Sequence, residues 1–254
     1  MSHAHPVQFI GAGPGAADLI TLRGAQRLSQ ASVVLFDALT DPALRPMAPQ
    51  AQWIDVGKRG FCDSTGQTRI NALLVRHALA GEKVVRLKGG DPSVFGRLEE
   101  EILALAEAGL SYEVVPGVTA ALAAAADSGR PLTRRGDGRS VALSTAMTAE
   151  RELRASRRAD TEVFYMAGRQ LAALSRRLLE AGWADDTPVC VVSRAGWPDR
   201  LISHHQVATL AQACVLHAGR PAVVSVGVGA RAMAAAPRQA LSIEGHHLNP
   251  AASP

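Results

Sequence analysis

Two glycine-rich segments are the places where a ligand could meet the main chain of this protein. Gly11-Ala12-Gly13-Pro14-Gly15-Ala16 follows the apolar run Val7 to Ile10 and precedes a helical stretch. The spacing fits the dinucleotide fingerprint G-x-G-x-x-A, and Asp37 lies about 20 residues on, where a ribose-binding acid would stand. Pro14 works against a dinucleotide, because proline has no N–H to offer a pyrophosphate. The loop suits a ligand that packs on the backbone without a phosphate, or it is simply a tight strand-to-helix turn. The second segment, Arg86-Leu87-Lys88-Gly89-Gly90-Asp91-Pro92, also lies between a strand and a helix. Adjacent glycines admit a flat ligand close to the main chain. Asp91 would repel a pyrophosphate and accept hydrogen bonds from a ribose or an ammonium group. With Pro116-Gly117-Val118-Thr119-Ala120, these loops outline a cleft.

Other reactive side chains lack a pattern that would set them to work. Cys62, Cys190 and Cys214 are dispersed and form no CxxC pair, which argues against a disulfide framework and a zinc site. His204-His205 and His246-His247 are adjacent pairs whose side chains diverge, so no metal is expected. His77 falls on an apolar helix stripe and reads as a core residue. Glu99-Glu100-Glu101 opens a helix, where the dipole favours negative charge.

The elements that must position these loops alternate. Strand-like runs cover residues 7–10, 32–36, 84–87 and 112–115, with helical spacing over 19–30, 70–79 and 98–108 between them. Such alternation means α/β with a mostly parallel sheet. An alanine-rich helix over 119–126 and a loop over 129–138 interrupt it. It then restarts with strands at 140–144, 162–166, 188–193 and 221–226 and a helix at 170–181. The expected fold is therefore two α/β domains, 1–116 and 117–244, with the active site in the cleft between them and a tail at 245–254.

Composition narrows the class of protein. Of 254 residues, 47% are apolar and 20% charged, enough for a real core and too apolar for disorder. No apolar run reaches the roughly 20 residues of a membrane span. The polar N-terminus leads straight into a strand, so no signal peptide and a cytoplasmic location are expected. The net charge of +4 rests almost wholly on arginine, since there are only three lysines. Aromatics are only 4%, which disfavours a base-stacking nucleic-acid binder. Arginine suits flat carboxylates, so a polycarboxylate partner fits better.

In order and spacing, the chain resembles the tetrapyrrole methylases, and among them the uroporphyrinogen-III C-methyltransferases. The segments that carry the resemblance begin with Gly11 to Gly15, Phe36-Asp37-Ala38-Leu39, Val56-Gly57-Lys58-Arg59 and Gln67. They continue with Arg86 to Pro92, Phe95-Gly96-Arg97, Val115 to Ala120, Pro131-Leu132-Thr133 and Phe164-Tyr165-Met166. The resemblance runs from about Val7 to Met233. It implies a homodimer that binds S-adenosylmethionine, released as S-adenosylhomocysteine, through Pro14, Gly89, Gly90, Asp91, Val94, Thr119, Ala120, Met166 and Ala195. It implies methylation of uroporphyrinogen III at C2 and C7 to precorrin-2, on the route to sirohaem or cobalamin.

On that reading, attack by a pyrrole carbon leaves a cationic ring system from which a proton must depart. Asp37, after the strand Val33 to Phe36, is the candidate base; as a residue of unknown context it could equally be a turn residue. Lys58 is the family's proposed proton donor, although an ordinary lysine near pKa 10.4 is a weak acid at neutral pH. A plain contact with a substrate carboxylate is the alternative. Arg59, Arg97, Arg134 and Arg135 are the candidate clamps for the substrate's carboxylates. The chain departs from the family pattern on the substrate side. Leu98-Glu99 stands where two glycines are usual, Thr133-Arg134-Arg135 where Thr-His-Arg is usual, Cys62 near a usual histidine, Ser144 to Thr148 where Thr-Gly-His is usual, and Ala195 where a glycine is usual. The rivals are a later precorrin methyltransferase, an NAD-dependent oxidoreductase, and a binding protein that kept the fold without turnover.

Overall fold

A computed structural model describes residues 5–57, 64–146 and 152–233. Lys58, Arg59, Cys62, Met147, Thr148 and the tail from Gly245 lie outside the described residues. The apolar runs of the first half form β1 (Val7–Gly11), β2 (Val33–Phe36), β3 (Gln52–Asp55), β4 (Val84–Lys88) and β5 (Tyr112–Val115). They make one sheet in the order β3-β2-β4-β1-β5, with every neighbouring pair parallel. The connecting helices are α1 (Leu22–Leu28), α2 (Ser64–Leu79) and α3 (Leu98–Glu107). Thr21 caps α1 by accepting from the Gly24 N–H at 3.1 Å.

Period-two alternation sends successive strand side chains to opposite faces. Val7, Phe9, Val33, Leu35 and Val84 join Ile70, Leu74 and Leu105 of α2 and α3 in one core. Ile10, Val34, Phe36, Val85 and Leu87 join Leu28 of α1 on the other face. The chain leaves β1 toward β2 and leaves β4 toward β5, on opposite faces. The carboxyl ends of β1 and β4 are thus a topological switch point, where open α/β sheets bind ligands.

The second half contains α4 (Ala120–Ser128), β6 (Val141–Thr145), β7 (Thr161–Tyr165), α5 (Leu171–Glu180), β8 (Pro188–Ser193), β9 (Leu201–Gln206), the single turn α6 (Ala213–Leu216) and β10 (Ala222–Gly227). Its sheet runs β6-β7-β10-β8-β9. Here the expected parallel sheet is corrected, because only β6 and β7 are parallel and the other three pairs are antiparallel. The physical reason is the short link from Ser193 to Leu201, which returns the chain alongside β8 with no crossover helix. Leu171, Leu174 and Leu178 of α5 pack on Phe164, Val191 and Val224, while Ala121, Ala123 and Ala124 of α4 cover Val163, Val192 and Val223 on the opposite face. Among the described residues, no helix is long and apolar enough to cross a membrane.

Candidate active site

Three loops at the carboxyl ends of the parallel strands interlock through their main chains. Gly90 donates to the Gly13 carbonyl at 2.7 Å and Gly13 to the Gly90 carbonyl at 3.2 Å. Gly117 is wedged against both loops, since an added Cβ would lie 2.3 Å from the Gly90 oxygen and 2.7 Å from the Gly11 Cα. The dinucleotide reading loses its donors here. Gly13 and Gly90 spend their N–H groups on each other, and Ala16 donates to the Gly196 carbonyl at 2.9 Å.

Asp91 is a brace before it is anything else. Its Oδ2 accepts from the Gly117 N–H at 2.9 Å and its Oδ1 from the Ser93 N–H at 2.8 Å. One acceptor direction per oxygen is left for a ligand. Gly89 and Gly90, in contrast, are bare. An added Cβ on Gly89 would have only Leu39 Cβ within 4 Å, at 3.5 Å, and one on Gly90 nothing nearer than 3.9 Å.

The open side of these glycines is a cleft of about 510 Å³ between the two sheets. Pro14, Gly89, Gly90, Asp91, Val94, Thr119, Ala120, Met166 and Ala195 all line it, so the structure brings together the nine residues singled out for the methyl donor. Leu39, Phe95 and Tyr165, which sequence reasoning quoted only as carriers of the resemblance, line it too, as do Arg194, Trp197 and Arg220, which it did not single out. Tyr165 holds the start of α4 in place and meets the first half through its ring. Its hydroxyl lies 2.7 Å from Thr119 Oγ1 and accepts from the Ala121 N–H at 3.3 Å. Its ring stands 5.0 Å from that of Phe95, and burial pushes the phenol's pKa up. Arg194 lies over the Trp197 ring at 4.4 Å.

Backbone strain gathers around this cleft. Among the described residues, those other than glycine with positive φ are Phe95, Arg97, Met166 and Arg194. Three of them line the cleft and the fourth is two residues from Phe95. A left-handed backbone disfavours side chains and persists where the surroundings over-determine it, commonly at binding sites.

Asp37, Arg97, Arg134 and Arg135 do not line the cleft. Asp37 stands at its edge, beside the lining residues Ala38 and Leu39, with its side chain 31% exposed. Arg97 is paired in two parallel bonds with Glu100, both 2.6 Å. Arg134 donates to the carbonyls of Arg231 and Ala232. Lys58 and Arg59 lie outside the described residues. His77 is buried, as expected of a core position, with Nδ1 2.5 Å from Glu82.

Glu101 departs most from the sequence reading. It is wholly buried, and its role goes well beyond favouring a helix dipole. Oε1 accepts from Arg86 Nε at 3.0 Å and from Gln67 Nε2 at 3.3 Å, and Oε2 from Lys88 Nζ at 2.6 Å. Arg86 Nη2 reaches on to Asp37 Oδ1 at 2.6 Å. Burial works to lower the Arg86 pKa, but Asp37 and Glu101 outweigh it and raise the value. Burial, then Arg86, holds the Lys88 ammonium below the ordinary lysine value, against Glu101. A signal for this group exists in the sequence. Alternation along β4 puts Arg86 and Lys88 on the face of Val84, and Glu101 sits on the inward stripe Leu98, Ile102, Leu105 of α3.

Comparison with known proteins agrees with this geometry. A sequence model of the tetrapyrrole (corrin/porphyrin) methylases matches residues 6–211. The chain is 45% identical over 193 residues to the uroporphyrinogen-III C-methyltransferase of Pseudomonas aeruginosa, covering 74% of this chain and 79% of that protein. It is 41% identical over 230 residues to the siroheme synthase of Neisseria meningitidis serogroup C, covering 87% of this chain but 47% of that protein. The chain thus spans less than half the length of that siroheme synthase. Among solved structures it is similar to the Thermus thermophilus uroporphyrin-III C-methyltransferase complexed with S-adenosylhomocysteine, with TM-score 0.77, 37% identity, and coverage of 89% and 98%. It is also similar to a cobalt precorrin-4 methyltransferase, with TM-score 0.78, 29% identity, and coverage of 89% and 96%. From its fold, its interlocked glycine loops and this match, the chain belongs to the tetrapyrrole (corrin/porphyrin) methylases.

Proposed function

We propose that this chain is an S-adenosylmethionine-dependent methyltransferase that adds methyl groups at C2 and C7 of uroporphyrinogen III, giving precorrin-2. One observation carries the reading. The loops after β1 and β4 and the start of α4 meet the second sheet in a single cleft, with the main chain of Gly89 and Gly90 bare toward it. The volume is in the range of small-molecule sites. The likeness to the Pseudomonas and Thermus enzymes supports the choice of reaction.

Pro14, Gly89, Gly90, Asp91, Val94, Thr119, Ala120, Met166 and Ala195 would hold the cofactor. Bound there, it supplies a methyl group already made electrophilic by its sulfonium. The protein's part is orientation and the handling of charge. Tyr165 keeps Thr119 and Ala121 against β7, which fixes the wall of the cleft. Asp37 at its edge accepts the proton that leaves the methylated ring carbon. Lys58 follows β3 and either returns a proton or meets a substrate carboxylate. Arg59, Arg97, Arg134 and Arg135 clamp acetate and propionate groups, Arg97 by exchanging Glu100 for a substrate carboxylate. We place the domain boundary at Pro116-Gly117, because α4 beyond it packs on the second sheet. The family resemblance supports a cytoplasmic homodimer.

The likeness to a cobalt precorrin-4 methyltransferase favours one alternative, methylation of a later corrin precursor. Anaerobic incubation with uroporphyrinogen III and S-adenosylmethionine, followed by mass spectrometry, separates the two. The proposed reaction adds two methyl groups. No gain, with S-adenosylhomocysteine still bound, transfers the reading to the later substrate.

A further inference from the structure

The buried charges behind Asp37 have no part in the mechanism above, and their arrangement is directional. Arg86 lies mid-sheet on β4, and each of its guanidinium nitrogens is engaged. Nε donates to Glu101, Nη1 to the carbonyls of Leu35 (3.4 Å) and Leu87 (3.1 Å), and Nη2 to Asp37. The fork therefore has one orientation. Glu101 is held in turn by Lys88 and Gln67. Two cations, Arg86 and Lys88, face one wholly buried anion, Glu101. Asp37 supplies the second negative charge, and it alone of the four stands partly in solvent, at the edge of the cleft.

We propose that Arg86 is a positioning residue that fixes the Asp37 carboxylate at the edge of the cleft, and that Glu101, itself held by Lys88, fixes Arg86. The inference rests on the base assignment made above and deepens it. A loop carboxylate on its own would move among rotamers, and catalysis is sensitive to about 1 Å of misplacement. The Asp37–Arg86 bond removes that freedom.

The test uses Arg86→Gln and Arg86→Lys, each alone and combined with Asp37→Asn, in the full chain. Readouts are kcat and KM for methyl transfer, S-adenosylhomocysteine affinity by calorimetry, and crystal structures of the variants. Arg86→Gln is expected to lower kcat about 100-fold with cofactor affinity within about threefold. Arg86→Lys recovers about tenfold of that loss, because it keeps the charge but not the fork. In the Asp37→Asn background, Arg86→Gln costs less than about twofold more, since a residue acting through Asp37 has nothing left to act on. Losses that multiply in the double variant would overturn the proposal, as would Arg86→Gln within about threefold of the parent kcat. If Arg86→Gln does not fold, Arg86→Lys decides alone, and parental kcat with an unmoved Asp37 refutes the role. The crystal structures stand apart from turnover. An Asp37 carboxylate that leaves its place in Arg86→Gln supports the proposal, and one that stays overturns it. No methyl transfer by the parent, or full turnover by Asp37→Asn, would remove the function or the base, and the structures would still decide whether Arg86 fixes Asp37.

Discussion

The two halves of this molecule solve different problems with different sheets. The first is wholly parallel, so its strands deliver their carboxyl ends, and the loops after them, to one side. It presents bare main chain at Gly89 and Gly90 and buries three charged groups, Arg86, Lys88 and Glu101, behind it. The second is largely antiparallel and packs apolar side chains on both faces. It presents side chains to the cleft, among them Tyr165, Met166, Arg194 and Trp197. The contrast teaches a division of labour. On the proposed function, the parallel half would approach the ligand closely and manage charge, and the antiparallel half would provide a wall.

The comparison can be broken by substitutions that separate reaction from binding. Asp37→Asn is expected to have the largest effect, lowering kcat by about 10²–10⁴ with S-adenosylhomocysteine affinity unchanged in calorimetry. Gly117→Ala comes next, because its Cβ has nowhere to go between Gly90 and Gly11. Overpacking there costs about 1–3 kcal/mol, a fall of roughly 2–10 °C in Tm at this chain length. Affinity for S-adenosylhomocysteine should fall with it. Tyr165→Phe removes the bonds to Thr119 and Ala121 and should weaken S-adenosylhomocysteine by about three- to tenfold, the worth of about one hydrogen bond. Turnover at saturating cofactor should be little changed, which would sharpen the assignment of the second half to binding.

The smallest effect concerns acid. In the second half, His217 is buried between Ser193 Oγ and Ser203 Oγ, each 2.8 Å away, and Ser203 also meets His205. Burial holds both imidazoles below the ordinary histidine value. The unfolded chain, with histidines near 6.5, then binds these protons more readily than the folded one. Stability is therefore full above about pH 6.5 and declines as pH falls through the lower folded values. Hydrogen exchange at pH 7.5 and 5.5 should show β8, β9 and β10 losing protection while β1, β2 and β4 keep theirs. Equal loss in both halves would contradict this.

How much could be read from the sequence depended on what each residue packs against. Central strands were legible because apolar residues dominate them, as in Val33 to Phe36. The strands not anticipated, β3 and β9, each lie at one edge of their sheet, half-buried at most, and Ser203-His204-His205 carries no apolar alternation. The second sheet's direction was not legible either, since strand and helix alternation does not reveal a helix-free return. The nine residues that meet in the cleft were found by resemblance, and their loops by their glycines. Arg86 and Glu101 were visible as residues and not as partners, because contact between β4 and α3 is a tertiary fact. Tyr165 was visible in the segment Phe164-Tyr165-Met166, but its contact with Thr119 is tertiary and gave no signal.

The central claim, that this cleft methylates uroporphyrinogen III, is tested most directly by where the methyl groups arrive. Anaerobic incubation of the full chain with uroporphyrinogen III and S-adenosylmethionine carrying a ¹³C methyl group, followed by NMR of the tetrapyrrole, reads this in one spectrum. The result expected is two labelled methyl groups, at C2 and C7, with Asp37→Asn showing neither at the same time point. Label at any other ring position, or none while S-adenosylhomocysteine still binds, would contradict it.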